Sequence, residues 1–224
     1  MTTVRQTIRA VLCDIEGTTT DVRFVHDVLF PYAAARIPAW VASHPDAPEL
    51  AAVAEETGAA TPEAQTAVLL GWMAEDRKAT PLKAIQGQLW ACGYADGTLH
   101  AHVYPDVAPA FARWTSAGLR VAIYSSGSVQ AQHLLFGATD AGDLRAHISG
   151  WFDTTTGPKR AAASYTTIAA ALGLVPDEVL FLSDTPEELD AAALAGMPTC
   201  LLARNSAPAP CSHPVAATFA GLLG

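Results

Sequence analysis

The chain has 224 residues, of which 50% are hydrophobic and 16% charged, with a formal net charge of −9. That apolar share fills a core and excludes a disordered chain, and the length suits one α/β domain carrying a sizeable insert better than two large separate domains. The acidic balance, with no cluster of lysines and arginines, argues against nucleic acid and anionic membrane surfaces as partners.

The first apolar run, Ile8 to Cys13, stops at Asp14, too early for the core of a signal peptide. The weakly polar stretch Ala191–Ala203 is too short for a bilayer, so a cytoplasmic protein is expected. The run Ile8–Cys13 is too continuous for a half-exposed strand and too short for a helix, as in a central strand of a parallel sheet. It breaks off into "DIEGTTT", with Asp14 and Glu16 one residue apart. From about His26 to Tyr104 alanine, leucine and tryptophan recur at helical spacing, and Thr61-Pro62-Glu63 and Thr80-Pro81 read as helix starts. This stretch is expected to form a cap of about four helices with Trp72, Met73, Leu89 and Trp90 in its core.

A second apolar run, "LRVAIY" from Leu119 to Tyr124, ends in "SSGS". Lys159 follows a glycine-proline turn in "FDTTTGPKR". A third run, "VLFL" from Val179 to Leu182, ends in Ser183, Asp184 and Thr185. Thr185 reads as a helix cap, Pro186 as a first helical position, Glu187 and Glu188 as acids of the first turn, and Gly196 as the stop. "NSAPAPCSHP" is expected to be a loop before a short final helix. Cys13, Cys92, Cys200 and Cys211 form no C-x-x-C pair, so they are expected to be buried, reduced thiols.

Strand followed by helix, repeated, predicts a doubly wound parallel sheet with an inserted helical cap. The expected division is a core of residues 1–20 and 105–224 and a cap of residues 21–104. Ligands of such sheets sit at the carboxyl ends of the strands, where Asp14, Ser125 and Asp184 are expected to gather. Carboxylate oxygens in that arrangement suit Mg²⁺ better than zinc. One carboxylate can attack phosphorus while a second serves as acid and then base, a division of labour that fits Asp14 and Glu16. Ser125 and the helix start after it can hold phosphate oxygens, with Lys159 supplying fixed positive charge. Taken singly, Asp14 and Asp184 are equally readable as caps and Lys159 as a solvated charge; their order along the chain favours function. The P-loop, dinucleotide, zincin and nucleophile-elbow motifs are missing.

"DIEGTTT", "IYSSGS", "GPK" and "FLSDTPEE" resemble, in order, the four motifs of haloacid-dehalogenase-like phosphatases. With "FVHDVLFPYA", "EDRKATPLKAIQGQLW", "VYPDVAPAF" and "FDTTTGPK", the chain is similar to the enolase-phosphatases of methionine salvage, although Asp21, Val22 and His26 depart from that pattern. The resemblance implies a monomeric, Mg²⁺-dependent enzyme that enolises a diketone phosphate ester and removes its phosphate to leave an acireductone. It places Asp14, Glu16 (acid/base and backbone carbonyl) and Asp184 at the metal and nucleophile site. Ser125, Ser126 and Lys159 would bind substrate oxygens, and Glu188 would orient a metal-bound water. The alternatives are a phosphatase of another small ester such as a sugar phosphate or phosphoglycolate, a metal-free dehalogenase, and a signalling receiver module; the long helical insert and Glu16 disfavour the last.

Overall fold

The structure, a computed structural model, describes residues 8–204 and 211–223. It divides into two compact units: residues up to Val22 together with Ala101 onward, and Arg23–His100.

Among the described residues the first unit is built on six strands, β1 (Ala10–Cys13), β2 (Arg120–Tyr124), β3 (Ile148–Phe152), β4 (Val179–Ser183), β5 (Thr199–Leu202) and β6 (Val215–Ala216), in the order β3-β2-β1-β4-β5-β6. All neighbours run parallel. Every residue of β1 is buried, as a central strand covered on both faces requires. Ala10 and Leu12 join Ala122, Tyr124, Val179 and Phe181 in one apolar layer, which packs on Tyr165, Ile168, Leu189 and Ala192. Those last four belong to two helices, Ala162–Ala171 and Pro186–Leu194. A further cluster stacks Phe111, Trp114, Phe136 and Phe219 with centroids 5.2 to 6.5 Å apart. The register aligns the strand ends: Cys13 pairs with Ile123 on one side and Leu182 on the other, so Asp14, Tyr124 and Ser183 leave the sheet at the same level.

Three strands escape the sequence reading, each for a local reason. In β3, Ser149 and Gly150 interrupt the apolar run. Gly150 is there because an added Cβ would sit 3.0 Å from Leu172 and 3.2 Å from Ala122, a close approach that a larger residue would obstruct. Strand β5 has four residues and β6 two, too few to show a period. The expected final helix is not present among the described residues 211–223: Val215 and Ala216 extend the sheet from Leu201 and Leu202. Residues 205–210 of the predicted loop lie outside the described residues.

The second unit contains four helices, α1 (Phe30–Ser43), α2 (Pro48–Thr57), α3 (Pro62–Ala74) and α4 (Thr80–Ala95), with Ile37, Leu50, Val53, Leu69, Trp72, Met73, Ile85 and Leu89 in its core. Trp90 packs against that core half-buried. Its indole donates to the Leu29 carbonyl at 3.0 Å, at the end of a π-helical turn, Val25–Leu29, that leads into α1. Thr61 caps α3 as expected, accepting from Ala64 N at 3.2 Å. Thr80 does not cap: it lies inside α4, whose cap position is Ala79. Cys92, expected to be buried, is exposed; all four cysteines are free thiols. No helix among the described residues is long and apolar enough to cross a membrane.

Candidate active site

Asp14 follows β1 directly and is 4% exposed. The loop after it closes tightly on itself: the N–H groups of Thr18, Thr19 and Thr20 all point to the Ile15 carbonyl at 2.9 to 3.2 Å. The Thr19 hydroxyl lies 3.2 Å from the carbonyls of both Asp14 and Ile15. Thr19 is therefore structural, its hydroxyl serving the backbone of a buried turn. The Asp14 side chain is oriented locally, its Oδ1 accepting from the Ile15 N–H at 2.7 Å. Gly17 takes φ +73°, and a Cβ there would fall 1.9 Å from Asp184 Oδ2. Glycine is needed at this position for the left-handed backbone and for the room that the Asp184 carboxylate occupies.

Lys159 joins the strand ends. Its Nζ lies 2.6 Å from Asp14 Oδ1 and 2.7 Å from Glu188 Oε2, with the side chain 11% exposed. Glu188 stands in the first turn of the helix Pro186–Leu194. The fully buried Ser183 hydroxyl lies 3.1 Å from Glu188 Oε2 and 3.4 Å from Asp14 Oδ2, so its single proton favours the glutamate. Burial opposes the charge on Lys159, yet the carboxylates of Asp14 and Glu188 outweigh it and hold the ammonium's pKa above the usual lysine range. Burial, then repulsion from Asp14, pushes the carboxyl pKa of Glu188 up, against the pull of Lys159. The same two causes raise Asp184. The cluster is thus carboxylate-rich, with an ammonium at its centre.

Ser125, just beyond β2, is buried, and its hydroxyl oxygen accepts from Gly127 N at 3.0 Å. Ser126 and Glu16 are half-buried on the loops after β2 and β1, and Glu16 bridges through its backbone to Thr20. Ser128 caps the helix Val129–Gly137 by accepting from Ala131 N at 3.2 Å. Thr185 holds the cap position of its helix, but its hydroxyl goes to Asp184 Oδ1 at 3.0 Å instead. Among the described residues no three His, Cys, Asp or Glu side chains are gathered as a metal cage.

The roles of two groups here are invisible in the sequence. Buried Asp153 accepts the Val129 N–H at 3.0 Å and both the N–H and hydroxyl of Thr155 at 2.9 and 2.6 Å, tying the loop before Lys159 to the helix after Ser125. Arg204, with a side chain 4% exposed, donates from Nε to the Thr18 carbonyl at 2.9 Å and pairs with Asp106 at 2.7 Å. Its guanidinium lies between the rings of Tyr104 and Phe219, 4.5 and 4.6 Å from their centroids. A lone arginine before a proline-rich stretch carries no pattern that announces this. Arg204→Met is expected to destabilise the protein by about 3 kcal/mol, because it removes the counter-charge of the Asp106 carboxylate, which keeps only the Phe219 N–H, and the donor to the Thr18 carbonyl; urea unfolding measures it.

A family model described as haloacid dehalogenase-like hydrolase matches residues 8–196. The chain is 55% identical to Enolase-phosphatase E1 of Pseudomonas aeruginosa (strain UCBPP-PA14), over 97% of this chain and 99% of the relative. It is 52% identical to the protein of the same name from Azotobacter vinelandii, over 96% of this chain and 97% of the relative. Among solved structures it is similar to the Unknown transcript 4 protein of Saccharomyces cerevisiae, with a TM-score of 0.83 and 38% identity, over 96% of this chain and 100% of that one.

Proposed function

We propose an activity from one premise: the chain belongs to the haloacid dehalogenase-like hydrolase family and, within it, to the enolase-phosphatases. It is a phosphoric monoester hydrolase that converts 2,3-diketo-5-methylthiopentyl 1-phosphate to the acireductone 1,2-dihydroxy-3-keto-5-methylthiopentene and phosphate, a step of methionine salvage. The observation that carries the site assignment is the meeting of Asp14, Lys159 and Glu188 at 2.6 and 2.7 Å, from three distant segments, at the carboxyl end of the sheet.

In this reading an Asp14 carboxylate oxygen attacks phosphorus, and the bond from phosphorus to the ester oxygen breaks. Glu16 gives its proton to the leaving oxygen. The Glu16 carboxylate then takes a proton from water, which attacks the aspartyl-phosphate, breaks its bond to Asp14 and frees inorganic phosphate. Ser125 and Ser126 bind phosphate oxygens; the Val129 and Ala131 N–H groups are taken by Asp153 and Ser128, so the helix Val129–Gly137 contributes through its positive N-terminal end. Lys159 sits beside the attacking carboxylate, where its charge stabilises oxygen anions as they develop, the enolate included.

The residues also fit Mg²⁺. Asp14 and Asp184 offer hard carboxylate oxygens, and the repulsion from Asp14 that raises Asp184 is the field a divalent cation relieves. Two carboxylates with the Glu16 carbonyl and waters suit this ion, which commonly takes one or two protein carboxylates. When bound it supplies positive charge against which the anionic ester can approach an acidic site. Glu188, held on Lys159 and Ser183, orients Lys159 and the water shell beside it.

The test is to follow phosphate release and acireductone absorbance together, with Mg²⁺ and with chelator. Equal yields of both products with Mg²⁺, and neither with chelator, are expected. Rapid hydrolysis of simple sugar phosphates with no turnover of the diketone ester would point instead to a phosphatase of another small ester.

A further inference from the structure

We propose that Tyr124, Ser164 and Tyr165 are positioning residues: their three hydroxyls clamp the successive carbonyls of Gly157, Pro158 and Lys159 and so fix where the Lys159 ammonium stands in the phosphate site. This rests on the reading of Lys159 as the site's cation. Tyr124 OH donates to the Gly157 carbonyl at 2.9 Å, Ser164 Oγ to Pro158 at 2.8 Å and Tyr165 OH to Lys159 at 2.6 Å. The Pro158 carbonyl also accepts the Ala161 N–H at 3.0 Å, an ordinary turn bond; what the turn does not supply is a side-chain hydroxyl on each of three successive carbonyls.

The donors are rigidly rooted. Tyr124 ends β2, while Ser164 and Tyr165 lie in the first turn of the helix Ala162–Ala171. Both tyrosine rings are fully buried, 5.6 Å apart edge to face, and Tyr165 packs on Phe181 at 5.0 Å. Burial raises both phenol pKa values, so each stays a neutral donor. Lysine carries its charge on a flexible four-carbon stem, and a fixed backbone limits where that charge reaches. Gly157 belongs to the same device: it adopts φ +147°, and a Cβ there would lie 2.3 Å from Ser164 Oγ, evicting that hydroxyl. Satisfying buried carbonyls would alone account for the hydroxyls structurally. The positioning role adds that their loss is felt through Lys159.

The experiment is a double-mutant cycle read by affinity for vanadate, a phosphate mimic, in the presence of Mg²⁺. Tyr165→Phe retains the core ring and Ser164→Ala the helix, so both fold. Each is expected to weaken vanadate binding about fivefold, the worth of one buried hydrogen bond. In a Lys159→Met background the same changes are expected to alter affinity by less than about twofold. Thr167→Val, whose hydroxyl serves the Ala163 carbonyl of the same helix at 3.0 Å, is the control and leaves affinity unchanged. Equal losses with and without Lys159 overturn the proposal. A second arm needs no phosphate chemistry: the NMR signal of the Lys159 ammonium is expected to move toward that of free lysine in Tyr165→Phe and Ser164→Ala. An unmoved signal also overturns the proposal. A wild type that binds no vanadate would contradict the phosphatase reading while leaving the NMR arm to decide the clamp.

Discussion

Asp14→Asn is expected to lower phosphate release on the order of 10⁴-fold or more, the scale on which catalysis collapses when a nucleophile is removed. The amide keeps the shape of the carboxylate. Its oxygen still accepts from the Ile15 N–H and from Lys159, as Asp14 Oδ1 does at 2.7 and 2.6 Å, and its nitrogen can donate to the Ser183 hydroxyl oxygen that now lies 3.4 Å away. The protein should therefore fold, with a urea midpoint close to wild type. What is lost is the anionic oxygen proposed to attack phosphorus. A folded variant with wild-type turnover would place the nucleophile elsewhere.

The second large effect is expected from Lys159→Met, which should lower kcat/KM about 10²- to 10³-fold, the range seen when a preorganised charge stabilising the transition state is removed. Methionine fills much of the same volume and leaves the stem's packing, including the approach to the Tyr124 ring now 5.8 Å from Nζ. It leaves Asp14 and Glu188 facing each other, since the ion pairs of both run to Lys159. Steady-state kinetics with Mg²⁺ saturating checks this. Because the charge matters most as anionic oxygen develops, kcat should fall more than KM rises; a loss confined to KM would make Lys159 a binding residue only.

The same physics explains what is legible in the chain. β1, β2 and β4 are central or nearly so, and burial on both faces writes itself into sequence as an unbroken apolar run. The acids, serines and lysine at their ends can be picked out because polar residues after such runs have few structural reasons to be there. β3, β5 and β6 leave weaker marks, and Val215–Ala216, which reads as part of a helix, pairs to β5 at Leu201 and Leu202. Two residues have no period, and tertiary pairing decides their state. Thr80 and Thr185 show the limit of cap signals: the Thr-Pro pattern locates both helix starts, but neither hydroxyl caps its helix. Least legible are the supports of the site. Arg204 and Tyr165 act from outside the motifs, Asp153 and Tyr124 from motif positions with no chemistry of their own to announce, and each hydrogen-bonds a backbone group elsewhere along the chain. Core tyrosines look the same in sequence whether or not their hydroxyls hold a backbone in place.

The central claim is that Asp14 becomes covalently phosphorylated during turnover. Rapid acid quench of enzyme mixed with the diketone ester and Mg²⁺, followed by peptide mapping in a mass spectrometer, tests it most directly. Phosphate is expected on the peptide carrying Asp14, formed and consumed at least as fast as product appears, and none in Asp14→Asn. Phosphate found on another residue, or wild-type turnover with no phosphorylated carboxylate at any quench time, would contradict it.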